Sequence, residues 1–343
     1  MDKLFNTKNI ELLSPAGSFE CAKAAINAGA DAIYMGGAKF GARAFAKSVE
    51  ENALPDAIKF VKDNSKKFYL TVNTLFKQKE LKEIFLFLDP LVKAGVDAFI
   101  VQDLGVAMML KERYPEVELH ASTQMTITSS KAVNLVKSLG FKQVVLAREL
   151  SLKEIKEIKK EVGDDIKLEA FVHGSMCYSY SGACLMSSFI GGESGNRGRC
   201  KGPCRLPYNS CKGESREVSR MGKLREPYLL SMKDMCALNS LKGLIDAGVT
   251  SFKIEGRMRQ ADYVAGVTKT YRKYLDSIIG ALPAIPNVRA SYTSPKDVGA
   301  FPTSPTNIKK DEMYLLELYN KGGFTNYYDK HNAVSMIQRF ERK

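Results

Sequence analysis

The sequence predicts an α/β chain built as a (β/α)8 TIM-like barrel, and three observations carry that expectation. Four stretches repeat one phrase: "AGADAIYM" from Ala28, "AGVDAFIV" from Ala94, "LGFKQVVL" from Leu139 and "AGVTSFKI" from Ala247. In each, a glycine stands where a helix should stop, because glycine takes the left-handed conformation cheaply, and an apolar run of the buried-strand type follows. Further strand-like runs, "IELLSPAG", "FYLTVNT", "VELHAST" and "IKLEAFVHG", fall between the repeats and are separated by helical patterns. The count is eight strands, near residues 10, 32, 68, 98, 117, 143, 166 and 251. Strict strand–helix alternation calls for parallel pairing through right-handed crossovers, and eight such units close as a barrel. A doubly wound open sheet is the competing architecture. The cluster "GGAKFG" does not favour it, since it does not open a helix with the dinucleotide-binding spacing.

Taken in order, the strand at Ile10 leads into "FECAKAAI", where Cys21 occupies a small helical position and reads as a core cysteine. "LKEIFLFLDPLVKA" supplies a later helix. "SLKEIKEIKKEV" supplies another, with Ser151 as N-cap and Ile155 and Ile158 on its apolar face. The rhythm breaks between strands seven and eight, where about 75 residues separate "AFVHG" from "SFKIEGR". The insertion, residues 175–240, should leave the C-terminal mouth of the barrel, where barrel enzymes keep their active sites. The expected organisation is a barrel over residues 1–276 including that insertion, a Pro-rich linker over 277–312 and a C-terminal segment over 313–343. Five of the twelve prolines lie between Pro283 and Pro305, and the closing "SMIQRFERK" reads as a frayed helix.

The 343 residues, 45% hydrophobic and 26% charged, have an ordinary globular composition. No apolar run reaches the roughly 18 residues of a membrane span, and "MDKLFNTKNIELL" lacks the apolar stretch of a signal peptide. A cytoplasmic protein without a membrane partner is expected. Net charge is +13, which suits a polyanion such as RNA, although a generally basic surface explains charge alone equally well.

Six of seven cysteines, Cys177, Cys184, Cys200, Cys204, Cys211 and Cys236, fall within the insertion. In a reducing compartment they read as metal ligands rather than disulfides. Only Cys200 and Cys204 approach a zinc-knuckle spacing, while dispersed thiolates suit an iron–sulfur cluster, so both metals stay open on spacing. The insertion also carries Arg197, Arg199, Lys201, Arg205, Lys212, Arg216, Arg220, Lys223 and Arg225, interleaved with Tyr208 and Tyr228. Such a mixture fits phosphate contacts and base stacking, against a merely solvated loop. Polar residues at strand ends should face the mouth: Glu11, Tyr34, Asn73, Gln102, Gln124, Arg148, Glu149, Glu169, Lys253, Glu255 and Arg257. Glu11 and Glu169 could instead lie deeper as ion partners. Alternation puts Lys253, Glu255 and Arg257 on one face, where Arg257 would hold a carboxylate or phosphate, or pair with Glu255 to close the barrel. His173 ends strand seven and is expected to point into the mouth, or to cap the strand by hydrogen bonds.

The motifs "ELLSPAGS", "HGSMCYSYSGACLMSS", "GNRGRCKGPCRLPY" and "SFKIEGRMR" resemble the collagenase-like peptidase family, group thirty-two of the peptidases of unknown type, over about residues 9–275, with an echo in "NKGGFT". Several members of that family are O2-independent hydroxylation proteins that act on a tRNA wobble uridine, on a ribosomal RNA cytidine or in ubiquinone synthesis. The resemblance therefore implies a 4Fe-4S cluster and, for the tRNA branch, prephenate as co-substrate. Matched position by position, it implies Cys177, Cys184, Cys200 and Cys236 as ligands, with Cys204 and Cys211 in reserve. The expected function is formation of 5-hydroxyuridine in tRNA, with RNA as partner and room for a partner protein of the same family. His173, Glu149, Lys253, Glu255 and Arg257 are the expected catalytic residues. Tyr34, Asn73, Gln124, Arg148, Arg197, Arg199 and Arg205 are the expected substrate contacts. The alternative is a peptidase, as the family name states. Neither G-x-S-x-G nor H-E-x-x-H occurs, which leaves only His173 with Ser175 for such a role.

Overall fold

A computed structural model describes residues 10–37, 39–41, 53–208, 228, 230–280, 305–321, 323–325 and 328. Strands β1 (Glu11–Pro15), β2 (Ala32–Met35), β3 (Lys67–Val72), β4 (Ala98–Val101), β5 (Glu118–Ala121), β6 (Gln143–Val145) and β7 (Lys167–Ser175) pair in sequence order, all parallel. Strand β9 (Ser251–Ile254) pairs in parallel with both β1 and β7, so the sheet closes on itself. The chain is a TIM-like (β/α)8 barrel with helices outside, and the open-sheet alternative is excluded by the β7–β9 seam.

The crossover helices are α1 (Phe19–Asn27), α2 (Ala53–Asp63), α3 (Ile84–Ala94), α4 (Leu104–Arg113), α5 (Ser130–Ser138) and α6 (Leu152–Val162). Several begin where the sequence offers a side-chain oxygen. Ser18, Asp103, Ser129 and Ser151 each accept a hydrogen bond from a first-turn amide. Ser151 and Glu154 complete a reciprocal capping box, and Ile155, Ile158 and Val162 form the buried face of α6. Two short helices follow, α7 (Met186–Gly191) and α8 (Leu241–Asp246); beyond strand β9, the long α9 (Ala261–Gly280) lies along α1 and β1 and buries Tyr271, Tyr274 and Leu275.

The barrel interior is filled in two ways. Leu13, Ala32, Tyr34, Tyr69, Ala98 and Ile100 form a small apolar group inside it. Beside them runs a polar ladder. Tyr69 donates to Glu11 at 2.6 Å, and Ser251 donates to Glu11 and Glu169 at 2.9 and 3.2 Å. Lys253 meets Glu169 at 2.7 Å, with both side chains buried. Glu169 is thus a core ion partner rather than a mouth residue, and Lys253 is its counter-ion. Burial pulls the Lys253 ammonium below its ordinary range against the opposing pull of Glu169.

Two short strands were not expected. Strand β8 (Asp234–Cys236) lies antiparallel on the last residues of β7, and β10 (Phe324–Thr325) lies parallel to β8. Segments this short carry no alternation that a sequence could display. The expected linker over 277–312 also needs correction. Helix α9 continues to Gly280, and α10 (Pro305–Leu318) begins at the last of the five prolines, a residue whose fixed φ suits the first turn of a helix. Residue 313, the expected start of the C-terminal segment, therefore falls inside α10, which begins at Pro305. "SMIQRFERK", Cys211 and the basic residues from Lys212 to Arg225 lie outside the described residues.

Removing one partner of the Glu169–Lys253 pair strands the other in a buried site. Lys253→Met should cost about 3–5 kcal/mol of unfolding free energy. The double change Glu169→Met with Lys253→Met should cost clearly less. Urea denaturation of the three proteins checks this.

Candidate active site at the barrel mouth

Strand β7 is longer than its neighbours, and its last residues rise above the rim. Gly174 permits this. Its φ is +106°, and a Cβ there would come within 2.7 Å of the Glu255 carbonyl oxygen. From this raised end the cysteine insertion departs across the mouth, as the sequence predicts.

The insertion is fastened at several points. At the first, Glu149 accepts from the Ser181 amide at 2.9 Å and from its hydroxyl at 3.3 Å, while Thr126 donates to the Ser181 carbonyl. Gly182, at φ +75°, packs against the Gln124 backbone, where a Cβ would sit 2.2 Å from the carbonyl oxygen. Next, Arg197 donates to Glu80 at 2.7 Å and to the Leu75 carbonyl, beside a Leu75 amide to Asn196 carbonyl bond of 3.2 Å. Finally, Arg205 donates to the Ser231 hydroxyl at 3.0 Å and to the Met232 and Met176 carbonyls. Three expected roles change accordingly. Glu149 positions the cysteine loop, and Arg197 and Arg205 are internal clamps rather than open phosphate contacts. Their functional appearance came from sequence crowding, whereas each guanidinium is committed to carbonyls and a carboxylate or hydroxyl. The third expected arginine, Arg199, keeps an exposed side chain, 3.8 Å from Glu193.

Four thiols gather above the mouth. The Cys204 thiol is raised, first by burial; Arg205 opposes this, and the neighbouring charges of Cys177, Cys200 and Cys184 add to it. These four sulfurs therefore share one electrostatic neighbourhood. Arg148, wholly buried over the Phe171 ring, donates to the Cys177 sulfur at 3.3 Å and to the Ser175 carbonyl at 2.8 Å. The Gly202 amide donates to the Cys200 sulfur at 3.3 Å. Gly195 lies beside both Cys200 and the Cys184 carbonyl, where an added Cβ would make ordinary contacts at 3.6 and 3.9 Å. Among the described residues no three His, Cys, Asp or Glu side chains converge tightly enough for a single metal ion. The guanidinium and amide donors to the Cys177 and Cys200 sulfurs are contacts that a thiolate-held group would use.

Cys236 is placed elsewhere. It pairs with His173 across the β7–β8 ladder, is 2% exposed, and its sulfur lies 3.8 Å from the Tyr271 hydroxyl on α9. Burial pushes its thiol up to about 12. His173 likewise turns from the mouth. Its ring packs against Tyr271 and Phe324, with Nδ1 3.3 Å from the Tyr271 hydroxyl, and burial pushes it down to about 3. A break in pairing register between Phe171 and His173 accompanies this placement. No pattern in the sequence marks such an irregularity.

The remaining expected residues do meet at the mouth. The Tyr34 hydroxyl donates to the Ile254 carbonyl at 2.8 Å, beneath Lys253 and Arg257. Arg257 donates to Thr71 at 2.6 Å, and Asn73 donates to Ser122 at 3.4 Å. Gln124 and Gln102 each keep a buried side-chain oxygen without a partner among the described residues. Glu255 accepts from the Ser175 amide at 3.4 Å. Sequence reasoning missed Arg259, Lys321 and Asp234, which also reach this rim. The "RMR" after "KIEG" and the "NKGGFT" echo were the available signals.

The Arg197 hydrogen bonds hold the Glu80 carboxyl down at about 2, against an ordinary 4.5. A lowered carboxyl stabilises the fold above its unfolded pKa and loses that contribution as pH falls toward 2. Both groups are partly exposed, so the contribution should be about 1 kcal/mol. Arg197→Gln should lower stability by about that amount at neutral pH, and the difference should shrink from the unfolded carboxyl range downward and vanish only below pH 2. Thermal melts across that range check this.

With this geometry in view, comparison with known proteins is informative. A family model described as peptidase family U32 matches residues 17–293. A 23S rRNA 5-hydroxycytidine synthase of Escherichia coli is 42% identical over 274 residues, covering 80% of this chain and 40% of that protein. An uncharacterised protease of Methanocaldococcus jannaschii is 40% identical, covering 79% of this chain and 66% of its own. A tRNA hydroxylation protein of Bacillus subtilis is 37% identical, covering 79% and 64%. The chain thus spans from two fifths to about two thirds of the length of these relatives. Matched by one family model from the first helix past the last barrel element, and by relatives that cover four fifths of it, the chain belongs to peptidase family U32.

Proposed function

We propose that this chain is an RNA-modification enzyme that hydroxylates a pyrimidine without O2, with a tRNA wobble uridine as the favoured target. The observation that carries the reading is the group of four thiols, Cys177, Cys184, Cys200 and Cys204, gathered over a barrel mouth beside the buried Arg148. Relatives named for rRNA and tRNA hydroxylation support the substrate class. A 4Fe-4S cluster is the group these thiols would hold, and it would supply electron transfer. Cys204 takes the fourth place in this proposal because its charge couples to the other three, whereas Cys236 lies against Tyr271.

The chain's own residues would do the rest. Arg148 donates to a ligand sulfur and so stabilises negative charge there. Gln102 and Gln124 offer unpartnered buried oxygens that could accept from a base edge. Arg257, held by Thr71 and the Tyr34 ring, is the mouth cation that would meet a carboxylate of prephenate. Glu149 keeps the cysteine loop in place. Tyr178, Tyr180 and Phe189 are exposed on the same insertion that carries Arg199 and Lys201, residue types suited to stacking bases and contacting phosphates. A protease reading, carried by the family name, gains no support from His173, which is enclosed by aromatic rings and makes its hydrogen bond to Tyr271 rather than to Ser175.

Protein prepared without oxygen should carry about four irons and four sulfides per chain. Cys204→Ala should lose them, as should Cys177→Ala, Cys184→Ala and Cys200→Ala, while Cys236→Ala should keep them. Zinc without sulfide would refute the cluster, and loss of iron in Cys236→Ala alone would restore Cys236 as the fourth ligand. RNA binding is tested separately. Arg199→Gln with Lys201→Gln should lower the log–log salt slope by roughly 1.4–1.8, because each phosphate contact contributes about 0.7–0.9. Mass spectrometry of RNA from a deletion strain reads the missing modification directly.

A further inference from the structure

We propose that Arg259, Lys321 and Ser175 form an oxyanion subsite on the barrel rim, which takes a carboxylate or phosphate group next to the thiols. Ser175 closes β7, Arg259 follows β9, and Lys321 comes from the turn after α10, so three separate parts of the chain build the site. Lys321 donates to the Ser175 hydroxyl at 2.9 Å and Arg259 at 3.4 Å. Two cations thus converge on one neutral oxygen. Neither forms an ion pair among the described residues. That is an unusual resting arrangement, since like charges held together in a partly dry site repel unless an anion joins them.

The surroundings suit a negatively charged group. The Arg259 guanidinium lies 3.3 Å from the Tyr319 ring centroid and 5.6 Å from that of Tyr263, so its fork is fixed in place. Burial and the nearby Arg205 and Arg259 pull the Lys321 ammonium below its ordinary range, with Asp234 and Glu255 opposing. Those two carboxylates are the internal alternatives as counter-ions, and neither is in contact with the pair. Glu255 faces the Ser175 amide. Asp234 is 2% exposed, keeps Oδ1 unpartnered among the described residues, and has a carboxyl raised by burial, which favours its neutral form. A guanidinium fork, an ammonium and a hydroxyl together offer the donors that a planar carboxylate or a tetrahedral phosphate accepts. The Ser175 carbonyl is held by Arg148, whose other nitrogen meets Cys177, so an anion seated here lies next to the thiol group. This inference concerns anion chemistry and stands apart from the RNA reading.

The test uses the full chain prepared without oxygen. Amine-directed labelling is followed at each lysine by peptide mass spectrometry, with malonate, inorganic phosphate or a single-stranded RNA oligonucleotide present. At least one probe should slow labelling of Lys321 fivefold or more, with the exposed Lys153 on α6 as the reference for general shielding. Protection by malonate alone assigns a free carboxylate. Protection by RNA but not by malonate assigns a backbone phosphate. Protection by several supports the oxyanion chemistry common to them. Arg259→Gln should abolish the protection, and Arg259→Lys should restore part of it. If no probe slows Lys321 in the unaltered protein, or if Arg259→Gln leaves protection intact, Asp234 and Glu255 suffice as counter-ions and the subsite does not exist. Failure of RNA to bind at all would leave the malonate and phosphate arms decisive.

Discussion

The ion pair between Glu169 on β7 and Lys253 on β9 sits at the seam where the barrel closes. A closed sheet removes its edges, but closure requires the last strand to find the first in register. Here the register is tied to charge. A slip of one residue would turn Lys253 out of the interior and leave Glu169 buried without a counter-ion. Gln143 and Ser251 add hydrogen bonds to the same carboxylate, and Ser251 links it to Glu11 on the first strand. The pair therefore specifies which strands meet, even though paired hydrophobic residues of similar size could hold the interior as firmly.

Everything at the mouth stands on that seam. Strand β7 rises beyond it because Gly174 can adopt a left-handed φ beside the Glu255 backbone. The raised end supports β8, and β8 supports β10, so the C-terminal segment reaches a site built mainly by the first 260 residues. The same raised end launches the cysteine loop. Glu149, Arg197 and Arg205 then fasten the insertion to three different parts of the rim. Charged side chains at an active-site mouth are easily taken for substrate contacts. Here several spend their hydrogen bonds on the protein's own backbone, and holding thiols in place is a demanding use of them.

The consequence for chemistry is a division of labour. The barrel interior pairs its buried Glu169 with Lys253, whereas the rim brings several cations against neutral groups. Arg148 answers to a sulfur, Arg257 to a hydroxyl and an aromatic ring, and Arg259 and Lys321 to a shared hydroxyl. The chain's net charge of +13 and this rim are the grounds on which an anionic substrate is proposed.

Most of the scaffold was legible in the sequence because its signals are local. A glycine after each helix, an apolar run after each glycine and a capping serine before α6 act within a few residues, and eight strands and their order followed from them. The insertion's position between strands seven and eight was legible for the same reason. Tertiary structure alone decided where His173 and Cys236 face, because a break in register and a three-residue antiparallel strand turn them toward α9, and neither leaves a periodic trace. It also decided that Arg197 and Arg205 are clamps, since their partners, Glu80 and Met176, lie far away in sequence. The sequence determined which residues could make a polar mouth. Which of them face substrate and which hold the frame depends on contacts between distant segments, and those exist only once the barrel has closed.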